Sequence, residues 1–203
     1  MNEHYYSQHP TSESRPADAS FTYRGHDLTL KTDAGVFSRG ELDAGTRILL
    51  NALPENITGR VLDLGCGWGP VGICVSLTNP QTNIVFSDVN ERALSLTREN
   101  AAHYQVQGEF VQSDGFANIE GVFDCIITNP PIRTGKQVIY QMFADAAARL
   151  TESGALYIVI RKQQGAESAK KYLQTLFSDV QVIEKSGGYW IIRCINGGND
   201  DEV

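Results

Sequence analysis

The motif Asn129-Pro130-Pro131 follows the apolar stretch Asp124–Ile127 and carries residue types that could act on an amine. Proline cannot donate to a β-ladder, so a strand that reaches two prolines ends there. The prolines fix their φ angles, and the residue before a proline is confined to extended geometry. We therefore predict that the Asn129 side-chain oxygen and the Pro130 carbonyl point into one site as rigid hydrogen-bond acceptors.

Two such acceptors suit an exocyclic amine or an amide nitrogen, which is a poor nucleophile because its lone pair is delocalised. Acceptors that bind both hydrogens can orient that lone pair toward an electrophilic carbon. As the new bond forms the nitrogen gains positive charge, and preorganised acceptors then stabilise it more than in the ground state. The predicted catalytic residues are Asn129, Pro130 and Pro131, acting by positioning and without a covalent intermediate or a metal.

A glycine-rich loop, Gly65-Cys66-Gly67-Trp68-Gly69-Pro70, follows the apolar stretch Val61–Leu64. Glycine lets a backbone turn sharply and approach a ligand, and Pro70 suits the first position of a helix. Ligands of open α/β sheets bind at the carboxyl ends of the strands. The residues Gly67 to Gly72 also satisfy the G-x-G-x-x-G pattern of dinucleotide-binding proteins, which is a weak signal on its own.

Acidic residues near the strand ends narrow the choice of ligand. Asp63 is expected to face the ligand, where a carboxylate suits a cation better than a pyrophosphate. Asp88 ends the next strand and can accept hydrogen bonds from ribose hydroxyls, and Asp114 could meet an adenine amino group. S-adenosylmethionine, a nucleoside with a positive centre and no phosphates, fits these carboxylates. The predicted cofactor-binding residues are Asp63, Gly65, Cys66, Gly67, Gly69, Asp88, Val89, Asp114, Gly115 and Asn129.

Strand-like and helix-like stretches alternate from Arg60 onward, and they must position these residues. Apolar strands favour a sheet covered on both faces, and their alternation with helices favours parallel βαβ units. The last two strands, Val180–Ile183 and Tyr189–Ile192, are joined by too short a turn for parallel pairing. The predicted fold class is α/β and Rossmann-like, with a seven-stranded, mostly parallel sheet, a terminal antiparallel hairpin, a short N-terminal β-hairpin and a helix. The predicted helices are about 41–52, 71–77, 91–102, 137–150 and 166–176.

The length of 203 residues indicates one domain with short extensions. We expect a flexible N-terminal arm over 1–19, the folded domain over 20–196 and a flexible acidic tail over 197–203. No stretch approaches the ~18 apolar residues of a membrane helix, and the polar N-terminus argues against a secretory signal. The four cysteines lack zinc-ligand spacing, so we expect buried, reduced thiols, no metal and a cytoplasmic location.

The formal net charge is -7, from 17 basic and 24 acidic side chains. Proteins that coat nucleic acid are usually basic, so a nucleic-acid substrate would require a local basic patch. The candidate residues for such a patch are Arg24, Lys31, Arg39, Arg133, Lys136, Arg161 and Lys162.

With these motifs in place, the chain resembles the class I S-adenosylmethionine-dependent methyltransferases that methylate amines. The segment from Val36 to Thr46 is similar to the one before the catalytic core in RsmC-type ribosomal RNA guanine-N2-methyltransferases. The resemblance covers about 21–194. It implies the cofactor S-adenosylmethionine, an RNA substrate, a monomer or homodimer, and cofactor and amine-binding roles for the matching residues.

The chain departs from these relatives at two points. Many of them place Phe or Tyr after the two prolines to stack on the target base, whereas this chain has Ile132, so stacking would come from Phe37 or Trp68. The relatives also carry a second, degenerate domain for which 203 residues leave no room, so recognition would rest on the N-terminal region, a dimer partner or the ribosomal particle. The predicted substrate-binding residues are Phe37, Arg39, Ile132, Arg133 and Lys136.

Several other functions remain open from the sequence. Glutamine N5-methylation of a release factor would use the same amine chemistry, but those enzymes usually have an aromatic residue in place of Ile132. DNA adenine methylation would normally need a target-recognition region. The intact Asn129 motif disfavours a non-catalytic module that binds cofactor or RNA. Asp63 disfavours a nicotinamide dehydrogenase.

Overall fold

A computed structural model describes residues 12–197, so the predictions for 1–11 and 198–203 lie outside the described part. The nine strands of that part are β1 (Ala17–Tyr23), β2 (His26–Thr32), β3 (Arg60–Leu64), β4 (Asn83–Asp88), β5 (Gly108–Gln112), β6 (Phe123–Thr128), β7 (Leu150–Arg161), β8 (Asp179–Ser186) and β9 (Tyr189–Ile195). The α-helices are α1 (Ala44–Ala52), α2 (Pro70–Thr78), α3 (Glu91–His103), α4 (Lys136–Ala148) and α5 (Ala166–Leu173). Short 3-10 helices span Ile132–Thr134 and Lys162–Gln164.

Seven strands form one sheet in the order β5-β4-β3-β6-β7-β9-β8. The first five are parallel, and β9 runs antiparallel to both β7 and β8. This confirms the predicted α/β class, with its terminal antiparallel hairpin and a separate N-terminal pair, β1 and β2. Because the parallel strands all point the same way, the residues that follow β3, β4, β5 and β6 meet at one edge of the sheet.

The N-terminal hairpin is part of the folded domain. Alternate residues of β1 and β2 are buried in the core beside α1, α2 and α3. Asn100 of α3 clamps the hairpin, since its amide accepts from Lys31 N at 2.8 Å and donates to Lys31 O at 2.9 Å. Two hydrophobic clusters cover the two faces of the sheet, one under this hairpin and the other under α4 and α5.

The folded part starts earlier than predicted. Strand β1 begins at Ala17, inside the segment expected to be a flexible arm, and Ala19 is fully buried. Ser14 also donates to the Asp33 carboxylate at 2.8 Å. The sequence hid this boundary because alanines alternating with polar residues give a weak hydrophobic signal.

Helix α1 also differs from its prediction. It begins at Ala44 instead of Glu41, because Asp43 caps it by accepting a hydrogen bond from Thr46 N at 2.9 Å. No helix in the part of the chain that the structure describes is long and apolar enough to span a membrane.

Candidate active site

A cavity of about 940 Å³ opens at the carboxyl edge of the sheet. The ends of β3, β4 and β6 form its floor, and one face of α4 forms a wall. The predicted site residues that line it are Phe37, Gly65, Gly67, Asp88, Val89, Asp114, Gly115, Asn129 and Pro131. The structure therefore brings the glycine loop, the ribose-binding candidate and the amine-binding candidate to one cavity.

The glycines of the loop do different work. Gly65 and Gly67 have φ values of 73° and 60°, and a Cβ built at either would meet open space. Both glycines line the cavity, so no side chain separates the backbone there from a ligand. Gly69 does not line it: a Cβ there would lie 2.9 Å from Thr97 Cγ2 of α3. Gly69 therefore allows close packing between the loop and α3.

Asp88 joins the glycine loop to the end of β4. Its Oδ2 accepts from Gly67 N and its Oδ1 from Asn90 N, both at 2.8 Å. Each oxygen keeps a second lone pair, and the residue lines the cavity. Burial raises the pKa of the carboxyl to about 6, although these backbone bonds lower it. Asp88 can thus accept two hydrogen bonds from one ligand when ionised.

Asp63 and Cys66 lie beneath the loop and do not line the cavity. Asp63 is buried, with 3 % of its surface exposed, and its Oδ2 accepts from Gly72 N of α2 at 2.8 Å. Cys66 is buried with its Sγ 3.6 Å from Thr97 Oγ1. Burial raises the pKa of Asp63 to about 7 and raises that of the Cys66 thiol.

The start of α2 is poorly suited to a pyrophosphate. Helix N-termini bind phosphates through free backbone N–H groups, but Pro70 has none and Gly72 N is taken by Asp63. This arrangement argues against the dinucleotide alternative.

Asp63→Asn is expected to flatten the pH dependence of stability. Burial raises the pKa of Asp63 in the folded protein to about 7, above the ordinary pKa of an aspartate in the unfolded chain. The contribution of Asp63 to stability is therefore fully present when the pH is below that ordinary pKa, and it is lost as the pH rises to about 7. The substitution keeps an acceptor for Gly72 N but removes the ionisation. We expect the loss in free energy of unfolding between pH 5 and pH 8 to shrink by about 2 kcal/mol. Urea denaturation at both pH values measures it, and an unchanged difference contradicts the burial argument.

Asn129 follows β6, and side chains outside the cavity hold its amide in place. Thr128 Oγ1 donates to Leu64 O at 2.8 Å, which ties the end of β6 to the end of β3. The Asn129 Nδ2 atom donates to Asp43 Oδ2 at 3.2 Å and to Thr46 Oγ1 at 3.0 Å, and neither of these residues lines the cavity. Both hydrogens of the amide are thereby used, and its oxygen remains as an acceptor.

The two prolines form a tight turn. The Pro130 carbonyl accepts from Ile132 N at 2.9 Å, and Pro131 has φ −75° and ψ 75°, the geometry of an inverse γ-turn. Pro131 lines the cavity, whereas Pro130 is buried and does not. The Pro130 carbonyl keeps one further lone pair. Ile132 is partly buried against the core under α4 and does not line the cavity.

The alternative that Trp68 stacks on a target base is wrong. Its side chain is 2 % exposed, and its ring meets the Phe21 ring edge-on in the core under the hairpin. Its Nε1 donates to Phe37 O at 3.0 Å. Trp68 therefore supports Phe37, which lines the cavity as the remaining predicted aromatic.

The predicted basic patch divides into two groups. Arg24 donates to Leu53 O at the end of α1, Lys31 pairs with Glu99, and Arg39 donates to Arg15 O, so these three lie on the hairpin side and off the cavity wall. Lys136, Arg161 and Lys162 lie at the carboxyl edge. Lys136 sits over the Tyr140 ring and does not line the cavity. The side chain of Arg133 lies outside the described part.

Sequence reasoning missed several residues of the site. Asp43 and Thr46 contact Asn129 from 86 and 83 positions away. Their sequence signals were the helix-cap spacing and their place in the segment Val36 to Thr46 that resembles RsmC-type enzymes. Further cavity residues include Val36, Ser87, Ser113, Phe116, Ala117, Thr134, Gln137, Val138, Gln141, Met142, Asp145 and Arg149. Ser87 Oγ is buried and has no hydrogen-bond partner among the described residues. Within 12–197 no group of three or more His, Cys, Asp or Glu could hold a metal ion.

Comparison with known proteins identifies the family. The methyltransferase small domain model matches residues 27–193. The chain is 43% identical to YbxB of Bacillus subtilis over 198 residues, covering 96% of this chain and 98% of that protein, which is uncharacterized. It is 38% identical over 177 residues to ribosomal RNA small subunit methyltransferase C of Haemophilus influenzae, covering 84% of this chain and 52% of the relative.

A solved structure agrees with this assignment. The 16S rRNA guanine N2 methyltransferase RsmC of T. thermophilus, in complex with AdoMet and guanosine, superposes with a TM-score of 0.80 and 25% identity. The match covers 92% of this chain and 52% of that one, so the chain spans about half the length of these RsmC relatives. By sequence and by fold, the chain belongs to the methyltransferase small domain family of class I S-adenosylmethionine-dependent methyltransferases.

Proposed function

We propose that the protein transfers a methyl group from S-adenosylmethionine to the exocyclic N2 amine of a guanine in RNA, and that the RNA is small-subunit ribosomal RNA in the cytoplasm. The observation that carries the proposal is the fixed amide of Asn129, which shares one cavity with Asp88. The likeness to RsmC relatives supports the choice of guanine and of ribosomal RNA.

The cavity has the donors and acceptors that the cofactor requires. Asp88 offers one free lone pair on each carboxylate oxygen for the two ribose hydroxyls. Gly65 and Gly67 leave open space where side chains would otherwise stand, and Asp114 and Gly115 line the wall proposed for the adenine. When bound, S-adenosylmethionine supplies a methyl group on a sulfonium, which needs no activation by a metal.

Asn129 performs the chemical step by orienting the amine. Its Oδ1 accepts one hydrogen of the target amine. The carbonyl of Pro130, a buried residue next to the cavity-lining Pro131, keeps one lone pair beside its bond from Ile132 N and accepts the other hydrogen once the amine reaches the end of β6. With both hydrogens bound, the nitrogen lone pair points toward the methyl carbon. The same acceptors stabilise the positive charge that grows on nitrogen during transfer. The proton then leaves from the cationic amine to solvent after transfer.

The aromatic ring of Phe37 is proposed to stack on the target base. It would replace the aromatic residue that many relatives have at the position of Ile132. Phe37 lines the cavity, and Trp68 fixes its backbone carbonyl. Base–aromatic stacking stabilises a flipped nucleotide by ~1–3 kcal/mol. A guanine stacked on Phe37 would carry its exocyclic amine into the cavity that Asn129 also lines.

A three-way labelling experiment tests the substrate. The protein is incubated with methyl-labelled S-adenosylmethionine and, separately, with deproteinised small-subunit ribosomal RNA, assembled small subunits, and a release factor, all from cells that lack this protein. We expect the label in RNA, recovered as N2-methylguanosine after nuclease digestion. Label in the release factor, or in none of the three substrates, overturns the proposal.

Lys162→Glu is expected to weaken RNA binding. Lys162 is exposed at the carboxyl edge of the sheet, next to Arg161 at the end of β7. Loss of one phosphate contact lowers by about 1 the slope of the logarithm of the binding constant against the logarithm of salt concentration. We expect the dissociation constant to rise about fivefold, or about 1 kcal/mol. Fluorescence anisotropy with a ribosomal RNA fragment at several salt concentrations measures both.

The matched control is Lys171→Glu, which makes the same charge change near the far end of α5. Lys171 is also exposed but lies away from the carboxyl edge. Equal effects of the two substitutions would show that only net charge matters and would remove this edge from the RNA surface.

A further inference from the structure

We propose that Asp43 and Thr46 are positioning residues that fix which way the Asn129 amide faces. The inference rests on the proposed function for its kinetic consequence, but the geometry can be tested without it. In this arrangement the start of α1 binds the nitrogen of the Asn129 amide, so the amide oxygen faces the cavity. A substrate amine then fits the site because it donates hydrogen bonds to that oxygen.

The hydrogen-bonding capacity of the three side chains determines the orientation. The Asp43 carboxylate is 3.2 Å from the Asn129 Nδ2 atom and can only accept. If the amide were flipped, Oδ1 would face that carboxylate oxygen without a hydrogen between them. The Thr46 hydroxyl accepts the second amide hydrogen at 3.0 Å, while its own proton is directed to Asp43 Oδ2 at 3.4 Å.

Asp43 and Thr46 are themselves held in place by contacts at the start of α1. Asp43 Oδ2 also accepts from Thr46 N at 2.9 Å, so the same atom caps α1 and holds Asn129. Gly45 packs so closely against β9 that a Cβ there would lie 2.8 Å from Tyr189 Cε1. The Tyr189 hydroxyl in turn accepts from Arg161 Nε at 2.8 Å. The start of α1 is thereby fixed to β9 and, through Tyr189, to the end of β7, which is the neighbour of β6.

A purely structural role for Asp43, capping α1, makes a different prediction. Serine caps helices as well as aspartate does, but its hydroxyl is too short to hold the Asn129 amide as well. Asp43→Ser therefore keeps the cap and removes one amide contact. Asp43→Asn keeps a carbonyl oxygen that can accept from both Thr46 N and Asn129. Thr46→Val removes the second acceptor at nearly constant volume, and Thr46→Ser keeps it.

Single-turnover methyl transfer at saturating RNA and cofactor gives the first measurement. A hydrogen bond to a charged group contributes ~1.5–3 kcal/mol, so Asp43→Ser is expected to slow transfer by about 10- to 100-fold. Thr46→Val is expected to slow it by about tenfold. Asp43→Asn and Thr46→Ser should each be faster than their partner variant, while the KM for RNA and the Kd for cofactor stay near the wild-type values.

The matched controls come from the opposite edge of the sheet. There Asp124 accepts from Arg60 N at 2.8 Å and from Thr151 Oγ1 at 3.2 Å, the same kind of aspartate–threonine pair. Asp124 and Thr151 lie near the amino ends of β6 and β7, and neither residue lines the cavity. Asp124→Ser and Thr151→Val should leave the rate of transfer unchanged even where they lower the melting temperature.

Hydrogen exchange of the Asn129 side-chain amide gives a measurement that does not depend on activity. The two amide resonances are assigned by their absence from the spectrum of Asn129→Ala. We expect slow exchange in the wild type and faster exchange in Asp43→Ser and Thr46→Val. If the wild type methylates no RNA, the proposed function fails and this exchange still decides the inference.

Wild-type transfer rates in Asp43→Ser and Thr46→Val, or amide exchange that these substitutions leave unchanged, would overturn the proposal. A rate loss that follows melting temperature across all six variants, controls included, would also overturn it, because that pattern is the signature of a structural role alone.

Discussion

Asn129→Ala is expected to lower the single-turnover rate of methyl transfer by about 100-fold, or about 2.7 kcal/mol of barrier. The substitution removes the free amide oxygen of a residue that lines the cavity, and it leaves Asp43 and Thr46 without their amide partner. Cofactor affinity should change little, because Asp88 and the glycine loop stay intact. Rapid-quench kinetics with labelled cofactor and calorimetry separate these two quantities.

Asn51→Ala is the control for this experiment. Asn51 is an exposed residue near the end of α1, remote from the cavity. Its substitution makes the same chemical change and should leave the transfer rate as it was. If Asn129→Ala transfers methyl groups at the wild-type rate, Asn129 has no part in catalysis.

Asp88→Ala has the second large expected effect, on cofactor binding. Two ribose hydroxyls lose their acceptor, and Gly67 N and Asn90 N lose theirs as well. Hydrogen bonds to a charged group contribute ~1.5–3 kcal/mol each, so the Kd for S-adenosylmethionine should rise by about 100-fold or more. Titration calorimetry measures the change, and an unchanged Kd would remove Asp88 from the cofactor site.

The pH dependence of cofactor binding gives a finer test of Asp88. Burial raises the pKa of its carboxyl to about 6, and the protonated form is a weaker acceptor. Cofactor affinity in the free protein should therefore fall as pH drops through about 6. Because Asp63 titrates near 7, the comparison is made in an Asp63→Asn background. Adding Asp88→Asn should abolish the fall, and its persistence there would assign it to another group.

The alternation of strands and helices and the glycine loop were predictable because their signals are local. Apolar stretches of strand length alternate with helical ones, and the loop between Leu64 and Pro70 carries its own turn residues. Asp88 was predictable for the same reason, since its place follows from the end of β4. The double proline marked the end of β6 and the position of Asn129.

Contacts between distant segments could not be predicted in this way. The N-terminal hairpin covers Trp68, so a side chain that the sequence placed in an open loop lies in the core. The same hairpin directs Arg24 to the end of α1 and Lys31 to Glu99, which divides the predicted basic patch. Asp43 reaches Asn129 only because α1 packs on β7 and β9. Tertiary packing decides each of these placements.

A crystal structure with S-adenosylhomocysteine and guanosine would test the central claim most directly. We expect the cofactor ribose on the Asp88 carboxylate and the guanine exocyclic nitrogen within ~3.2 Å of Asn129 Oδ1, with the Asn129 Nδ2 atom still donating to Asp43 and Thr46. Guanosine bound with its amine turned away from Asn129, or an Asn129 amide that presents its nitrogen to the base, would contradict the account.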